Sequence, residues 1–167
     1  MTVSIRKMEL SDAMDLAGIL SNKNVLDNLR DGVPFPYTED DGIAYIDSVN
    51  KADPNNVFAF AVLNDGKFVG HTSVFRGKEG NKTSAELGYY LSENEWGKGI
   101  MTEAVKKTCE FVFNNSDIKN IYAFVFESNI ASCRVLEKAG FIYERTLEKS
   151  IIKGGIAINA KVYCLSK

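Results

Sequence analysis

The stretch of this chain best suited to chemistry is Trp96-Gly97-Lys98-Gly99-Ile100. Its two glycines stand directly before an amphipathic run: Ile100, Met101, Ala104, Val105, Cys109, Val112 and Phe113 recur three, four or seven positions apart. That spacing predicts a helix with one apolar stripe. The first amides of a helix have no intrahelical acceptor, and the helix dipole adds partial positive charge at the same end. Glycines there let a phosphate come close to the backbone, where a Cβ would block it. The chemistry implied is the cradling of a diphosphate by main-chain amides. Such a loop needs a strand leading into it. Ala85, Leu87, Tyr89 and Leu91 alternate with Glu86, Gly88 and Tyr90 at the period of two of a pleated strand, and polar Ser92 to Glu95 end it. The loop is not a Walker-type sequence, which needs a longer glycine spacing followed by Lys-Ser or Lys-Thr. Nor does it open the first strand–helix unit of the chain, as a dinucleotide fingerprint usually does.

A second segment gives the loop its context. Asn120 to Phe126 (NIYAFVF) reads as a short apolar strand, followed by Glu127-Ser128-Asn129 and a helix, IASCRVLEKAG, that stops at Gly140 before Phe141. Together, GYYLSENEWGKGIMTEA and ESNIASCRVLEKAGF resemble the GCN5-related N-acetyltransferases, most closely the branch with the RimJ/RimL-type ribosomal-protein N-terminal acetyltransferases. PFPYTEDDGIAYID near the N-terminus looks like the Pro-Tyr-Thr segment of the same branch, so the likeness runs over nearly the whole chain.

That resemblance implies an acetyl-CoA-dependent N-acetyltransferase acting on a primary amine, with acetyl-CoA as co-substrate and no metal. The acceptor implied by the branch is a protein N-terminal amine. A small-molecule amine (polyamine, aminoglycoside or amino-acid derivative) is the alternative, and a non-catalytic acyl-CoA sensor is a further one. Carried over by residue, the resemblance places the cofactor on Leu91, Trp96, Gly97, Lys98, Gly99, Ile100, Met101 and Thr102, with Asn129 and Ser132 along the pantetheine arm. It makes Phe35 and Tyr37 acceptor-wall candidates and Glu86 both the candidate general base and an acceptor contact. Two departures matter. The first position of the phosphate loop, usually Gln or Arg, is Asn94. The position seven after the Asn, where many members carry a catalytic Tyr, is Leu136, so Ser132 becomes the candidate hydroxyl near the thioester sulfur.

The reaction explains why these residue types suit it. An ammonium has no lone pair to attack with, and a terminal α-amine, with a pKa of about 7.7–8.0, is deprotonated more easily than a lysine near 10.4. A carboxylate can accept the proton, directly or through water. Arg134, Lys138 and Lys98 are candidates for neutralising phosphate charge, or else solvated surface cations. Cys133 reads as an inert buried thiol and the single histidine, His71, as a half-buried strand residue.

The rest of the chain must position these groups. Its 167 residues fit one domain, 1–167. A net charge of −2 gives no basic field that would argue for nucleic acid, and no apolar run approaches the roughly 20 residues of a membrane span. Three widely spaced cysteines without a CxxC pair, and an N-terminus without a secretory apolar stretch, point to a cytoplasmic protein. Strands are expected at Val3–Lys7, 57–63, 67–76, 85–91, 120–126, 141–152 and 156–165. Asp65-Gly66 should turn the first hairpin, Gly77 to Lys82 a second, and Lys153-Gly154-Gly155 the last. Helices are expected after Ser11 as N-cap, over 22–30, after Thr38 with Ile43, Ala44, Ile46 and Val49 inward, and after Gly99 and Asn129. The expected fold is α/β (α+β): a mixed, mostly antiparallel twisted sheet of about seven strands flanked by about four helices, monomeric or a homodimer paired through exposed terminal strands.

Overall fold

Alternating apolar residues fold into seven strands: β1 (Val3–Lys7), β2 (Val57–Asn64), β3 (Lys67–Arg76), β4 (Ser84–Leu91), β5 (Asn120–Phe126), β6 (Ile142–Lys153) and β7 (Ile156–Ser166). The structure is a computed structural model and describes residues 1–77 and 82–167, so most of the turn expected over Gly77 to Lys82 lies outside the described residues. The strands form one sheet in the order β1-β2-β3-β4-β5-β7-β6, antiparallel except for the parallel β4–β5 pair. Asp65 and Gly66 both take positive φ, 49° and 80°, as a two-residue hairpin turn requires.

Helices α1 (Ala13–Leu20), α2 (Lys23–Leu26) and α3 (Glu39–Lys51) belong to one face; α4 (Ile100–Asn115) and α5 (Ile130–Lys138) belong to the other. Each face has its own core. Leu87 and Leu91 of β4 pack with Ile100, Val105 and Leu136 under α4 and α5. Ala61 and Phe68 pack with Leu16, Leu20 and Ile46 under α1 and α3, with Tyr90 against them.

Three local expectations change. The residue before α1 is Asp12 rather than Ser11, and its side chain does not cap that helix: the carboxylate turns back to accept the Glu9 amide at 2.8 Å and two Arg6 N–H groups at 2.8 Å each. The bidentate, charge-assisted pair with Arg6 holds the carboxylate there. Burial raises the pKa of this carboxyl, but the Arg6 hydrogen bonds and the Glu9 amide outweigh it and hold the group below its ordinary value. The helix expected over 22–30 is confined to Lys23–Leu26. Asn22 caps it by accepting the Asn24 amide, and the Lys153 ammonium takes the Leu26 carbonyl at 3.1 Å. Helix α3 is rotated, with Gly42 and Ile46 buried and Ile43 and Ala44 outward, because Tyr45 turns inward to reach His71.

His71 is fully buried rather than half-buried. Its Nδ1 donates to the Phe60 carbonyl at 2.8 Å, so Nε2 is left to accept the Tyr45 hydroxyl, also at 2.8 Å. Burial lowers its pKa from 6.5 to about 4, although the Phe60 bond opposes this. Between those values the unfolded chain takes up a proton that the folded chain refuses. Stability is therefore complete above pH 6.5 and is lost as the pH falls toward 4, by about 3 kcal/mol at roughly 1.4 kcal/mol per pH unit. Denaturant melts from pH 6.5 to 5 should show this slope, and His71→Gln should flatten it. An equal slope in that variant would assign it to other groups.

Candidate functional site

The parallel ladder between β4 and β5 is short. It joins Ser84, Ala85 and Glu86 to Asn120, Ile121 and Tyr122 and then stops. Strand β5 stays paired to β7 as far as Phe126, so β4 diverges from it beyond Glu86. The gap continues into a cleft of about 520 Å³ between Leu87–Leu91, Ala123–Phe126 and the starts of α4 and α5. Backbone groups of β4 that face this gap lack a strand partner there.

The glycine loop forms one end of the cleft. Gly97 and Gly99 take φ of 75° and 79°, and a Cβ on either would meet no protein atom within 4 Å. Glycine is therefore set by the left-handed backbone and not by packing. Gly99 caps α4 with no side-chain hydrogen bond, and its carbonyl accepts from the Glu103 amide at 3.3 Å. The amides before Glu103 are those a helix leaves unsatisfied. Ile100, Met101 and Thr102 are buried and line the cleft, as do Leu91 and Trp96. The Trp96 indole closes the loop by donating to the Leu91 carbonyl at 2.9 Å.

The Lys98 side chain is not among the groups that line the cleft; its ammonium pairs at 3.1 Å with Glu95, which does line it. The cations that do line it are Arg134 and Lys138 of α5 and Arg30. The neighbouring Glu93 accepts from Asn22 and Asn24 at 2.6 and 2.8 Å, tying α2 to the loop. Those two hydrogen bonds, Asn22 first, hold the Glu93 carboxyl below its ordinary value.

Asn129 caps α5 through its Oδ1, which accepts the Ser132 amide at 3.2 Å, and both residues line the cleft. The Ser132 Oγ lies 2.5 Å from the Tyr89 hydroxyl, which is also 3.1 Å from the Ser132 carbonyl. Burial raises the Tyr89 pKa well above its ordinary range, more than the Ser132 hydrogen bond lowers it, so the phenol stays protonated. Leu136 is fully buried in the core, and Cys133 is buried as expected.

Glu86 lines the cleft and pairs with Arg30, Oε1 to Nη2 at 3.2 Å. The Arg30 guanidinium carbon lies 5.8 Å from the Phe124 ring centre. Beyond these two residues a second cavity of about 400 Å³ opens, walled by Leu147, Ile151, Ile152 and Ala160 with Asp31 and Ser150 at its polar side. Asp31 is held by the Gly154 amide at 3.0 Å and by Lys153 at 3.3 Å.

Phe35 and Tyr37 line neither cavity. Tyr37 is buried in the α1–α3 core, held there by Ser21, whose hydroxyl donates to its carbonyl at 3.0 Å; Phe35 is exposed. Arg30, Asn28 and Phe124 line the cleft instead. Sequence reasoning missed Arg30 and Asn28, which stood in the helix expected over 22–30 with no motif to mark them, and Tyr89, whose place on the Leu87–Leu91 face was legible but whose hydroxyl partner was not.

The site therefore offers a diphosphate cradle and a gap able to take an extended arm. Beside the gap stand a carboxylate on one strand and a pair of hydroxyls. Among the described residues, no group of three or more His, Cys, Asp or Glu is placed to hold a metal. Nor, among them, is any helix long and apolar enough to cross a membrane.

Known proteins share this architecture. The family profile described as "Acetyltransferase (GNAT) domain" matches residues 2–142. The "Probable N-acetyltransferase YjcK" of Bacillus subtilis (strain 168) is 30% identical over 161 residues, 93% of this chain and 88% of that protein. Among solved structures, the ribosomal-protein-S5-alanine acetyltransferase from Vibrio fischeri superposes with a TM-score of 0.86 at 23% identity, covering 98% of this chain and 92% of that one. The Microcin C7 self immunity acetyltransferase MccE, solved with acetyl-CoA and AMP, superposes with a TM-score of 0.87 at 21% identity, over 99% and 92%.

Proposed function

Because the chain belongs to the acetyltransferase (GNAT) family, we propose that it transfers the acetyl group of acetyl-CoA to a primary amine by direct attack. The observation that carries this reading is the gap between β4 and β5 opening onto the glycine-led, uncapped start of α4. The acetyl-CoA held by the MccE neighbour supports the same cofactor here. The diphosphate lies on the amides of Gly97 to Thr102, and the pantetheine arm runs past Asn129 and Ser132. The thioester carbonyl meets the unpaired backbone of β4, which polarises it. Glu86 takes the proton of the amine, directly or through water.

The favoured acceptor is a protein N-terminal α-amine. The Vibrio neighbour is named for an S5 alanine, and the apolar second cavity suits a small N-terminal side chain better than a polycation. A small anionic amine is the second reading, supported by Arg30 at the junction of the two cavities and by the AMP in MccE. Three free, buried cysteines support a reducing, cytoplasmic setting.

Calorimetric titration with acetyl-CoA, followed by mass analysis of an amine panel, tests the reading. An alanine-starting peptide, a polyamine, an aminoglycoside and an amino-acid derivative make up the panel, and the peptide is expected to be acetylated fastest. Tight binding without turnover of any amine would leave a CoA sensor. No binding would remove the reading altogether.

A further inference from the structure

Tyr89 comes from β4 and Ser132 from α5, yet their hydroxyl oxygens meet at the wall of the cleft, 2.5 Å apart. We propose that Tyr89 is a positioning residue for the leaving group: its hydroxyl donates to Ser132 Oγ and so turns the serine proton into the cleft, toward the sulfur of bound CoA. This rests on the reading of the cleft as a CoA site.

The argument is one of counting protons. Each hydroxyl has one to give. If Tyr89 gave its proton to the Ser132 carbonyl, 3.1 Å away, the serine proton would be spent on the phenol oxygen. That carbonyl, however, stands inside α5 and already accepts the amide four residues on, so it is satisfied without the phenol proton. The hydroxyl contact is the shorter of the two and falls in the range of strong O–H···O bonds. The Asn129 side chain beside it accepts the Ser132 amide through Oδ1, and among the described residues no hydrogen bond joins its Nδ2 to Ser132 Oγ. Burial keeps the phenol protonated, so it acts as a donor throughout. The chain Tyr89 O–H to Ser132 O–H to sulfur is then polarised in one direction.

In the reaction, the amine lone pair forms a bond to the thioester carbon, the C–S bond breaks, and its electron pair goes to sulfur. The proton of the amine goes to Glu86 or water. Ser132 donates a hydrogen bond to the thiolate and keeps its proton, as does Tyr89, and the thiolate is protonated from solvent. Tyr89 thus touches no reacting atom and acts only through Ser132.

CoA alone is the probe, so no acceptor is needed. The ionisation of the bound CoA thiol is followed by thiolate absorbance against a desulfo-CoA complex as blank, in the wild type, Tyr89→Phe, Ser132→Ala and the double variant. A donor aimed at the thiolate lowers its pKa. The bound thiol should therefore ionise about one pH unit lower in the wild type than in either single variant, with the double variant no different from Ser132→Ala. CoA affinity in Tyr89→Phe should fall by no more than about tenfold, the most that one lost neutral hydrogen bond gives. A wild-type thiol pKa in Tyr89→Phe, with a shifted one in Ser132→Ala, overturns the role of Tyr89 and leaves the CoA site standing. A greater loss of CoA affinity in Tyr89→Phe alone would also overturn it, by showing the phenol to be a wall support. Failure of the wild type to bind CoA at all would overturn the proposed function and this role with it.

Discussion

Replacing Gly97 and Gly99 together by valine is expected to weaken acetyl-CoA binding by about 100-fold or more in a chain that still folds. Both glycines sit at positive φ, 75° and 79°. A non-glycine residue there costs about 1–2 kcal/mol, and a β-branched one is a strong outlier. The loop relieves that strain by rotating toward negative φ, which re-aims the amides before Glu103. Losing two hydrogen bonds to a charged diphosphate, at about 1.5–3 kcal/mol each, already exceeds the roughly 2.7 kcal/mol of a 100-fold change. The fold should tolerate this, because the added Cβ atoms meet no protein atom within 4 Å. Helix α4 is anchored independently by Ile100, Ala104, Val105 and Val112, all fully buried. Calorimetry reads the affinity and a thermal melt the fold. A folded double variant that bound acetyl-CoA as tightly as the wild type would show that the loop does not hold the cofactor.

The parts of this site that were legible in the sequence are those set by local rules. A period of two gave β4 and β5 within a residue of their observed ends, and a period near 3.6 gave α4. The glycine pair marked the turn between strand and helix, and a helix was expected directly after Asn129, where α5 stands. What was not legible depends on contacts between distant segments. Tyr37 has the composition of a substrate wall, but Ser21 fastens its backbone to the α1–α3 core. Arg30 reaches Glu86 next to Asp31, which Lys153 and the Gly154 amide hold to the β6–β7 turn, contacts that no periodicity encodes. The pairing of Tyr89 with Ser132 is of the same kind: each lies on the expected face of its element, and only the divergence of β4 from β5 brings the two together.

Glu86→Gln is expected to lower kcat/KM for the amine by about 100-fold or more, the usual span of a lost general base, with acetyl-CoA affinity unchanged. The expectation follows from how weakly the carboxylate is committed elsewhere. Its one ion-pair contact among the described residues, 3.2 Å to Arg30, joins side chains that are 46% and 52% exposed. Such pairs contribute about 0–1 kcal/mol, so an arriving ammonium can displace the guanidinium at little cost. The second carboxylate oxygen has no partner in that pair and is free to take a proton or order a water. For the same reason the glutamine should leave stability within about 1 kcal/mol of the wild type, which separates a chemical defect from a folding one. Arg30→Gln should behave differently: it keeps the base, loses one end of the pair, and gives up the stacking on Phe124 at the mouth of the second cavity. Its defect should therefore appear mainly in KM for the acceptor, whereas that of Glu86→Gln appears in kcat. Steady-state kinetics on the amine that turns over fastest would decide. Full kcat in Glu86→Gln would move the base to another group, and the Glu86–Arg30 pair would then be only a clasp between β4 and the segment after α2.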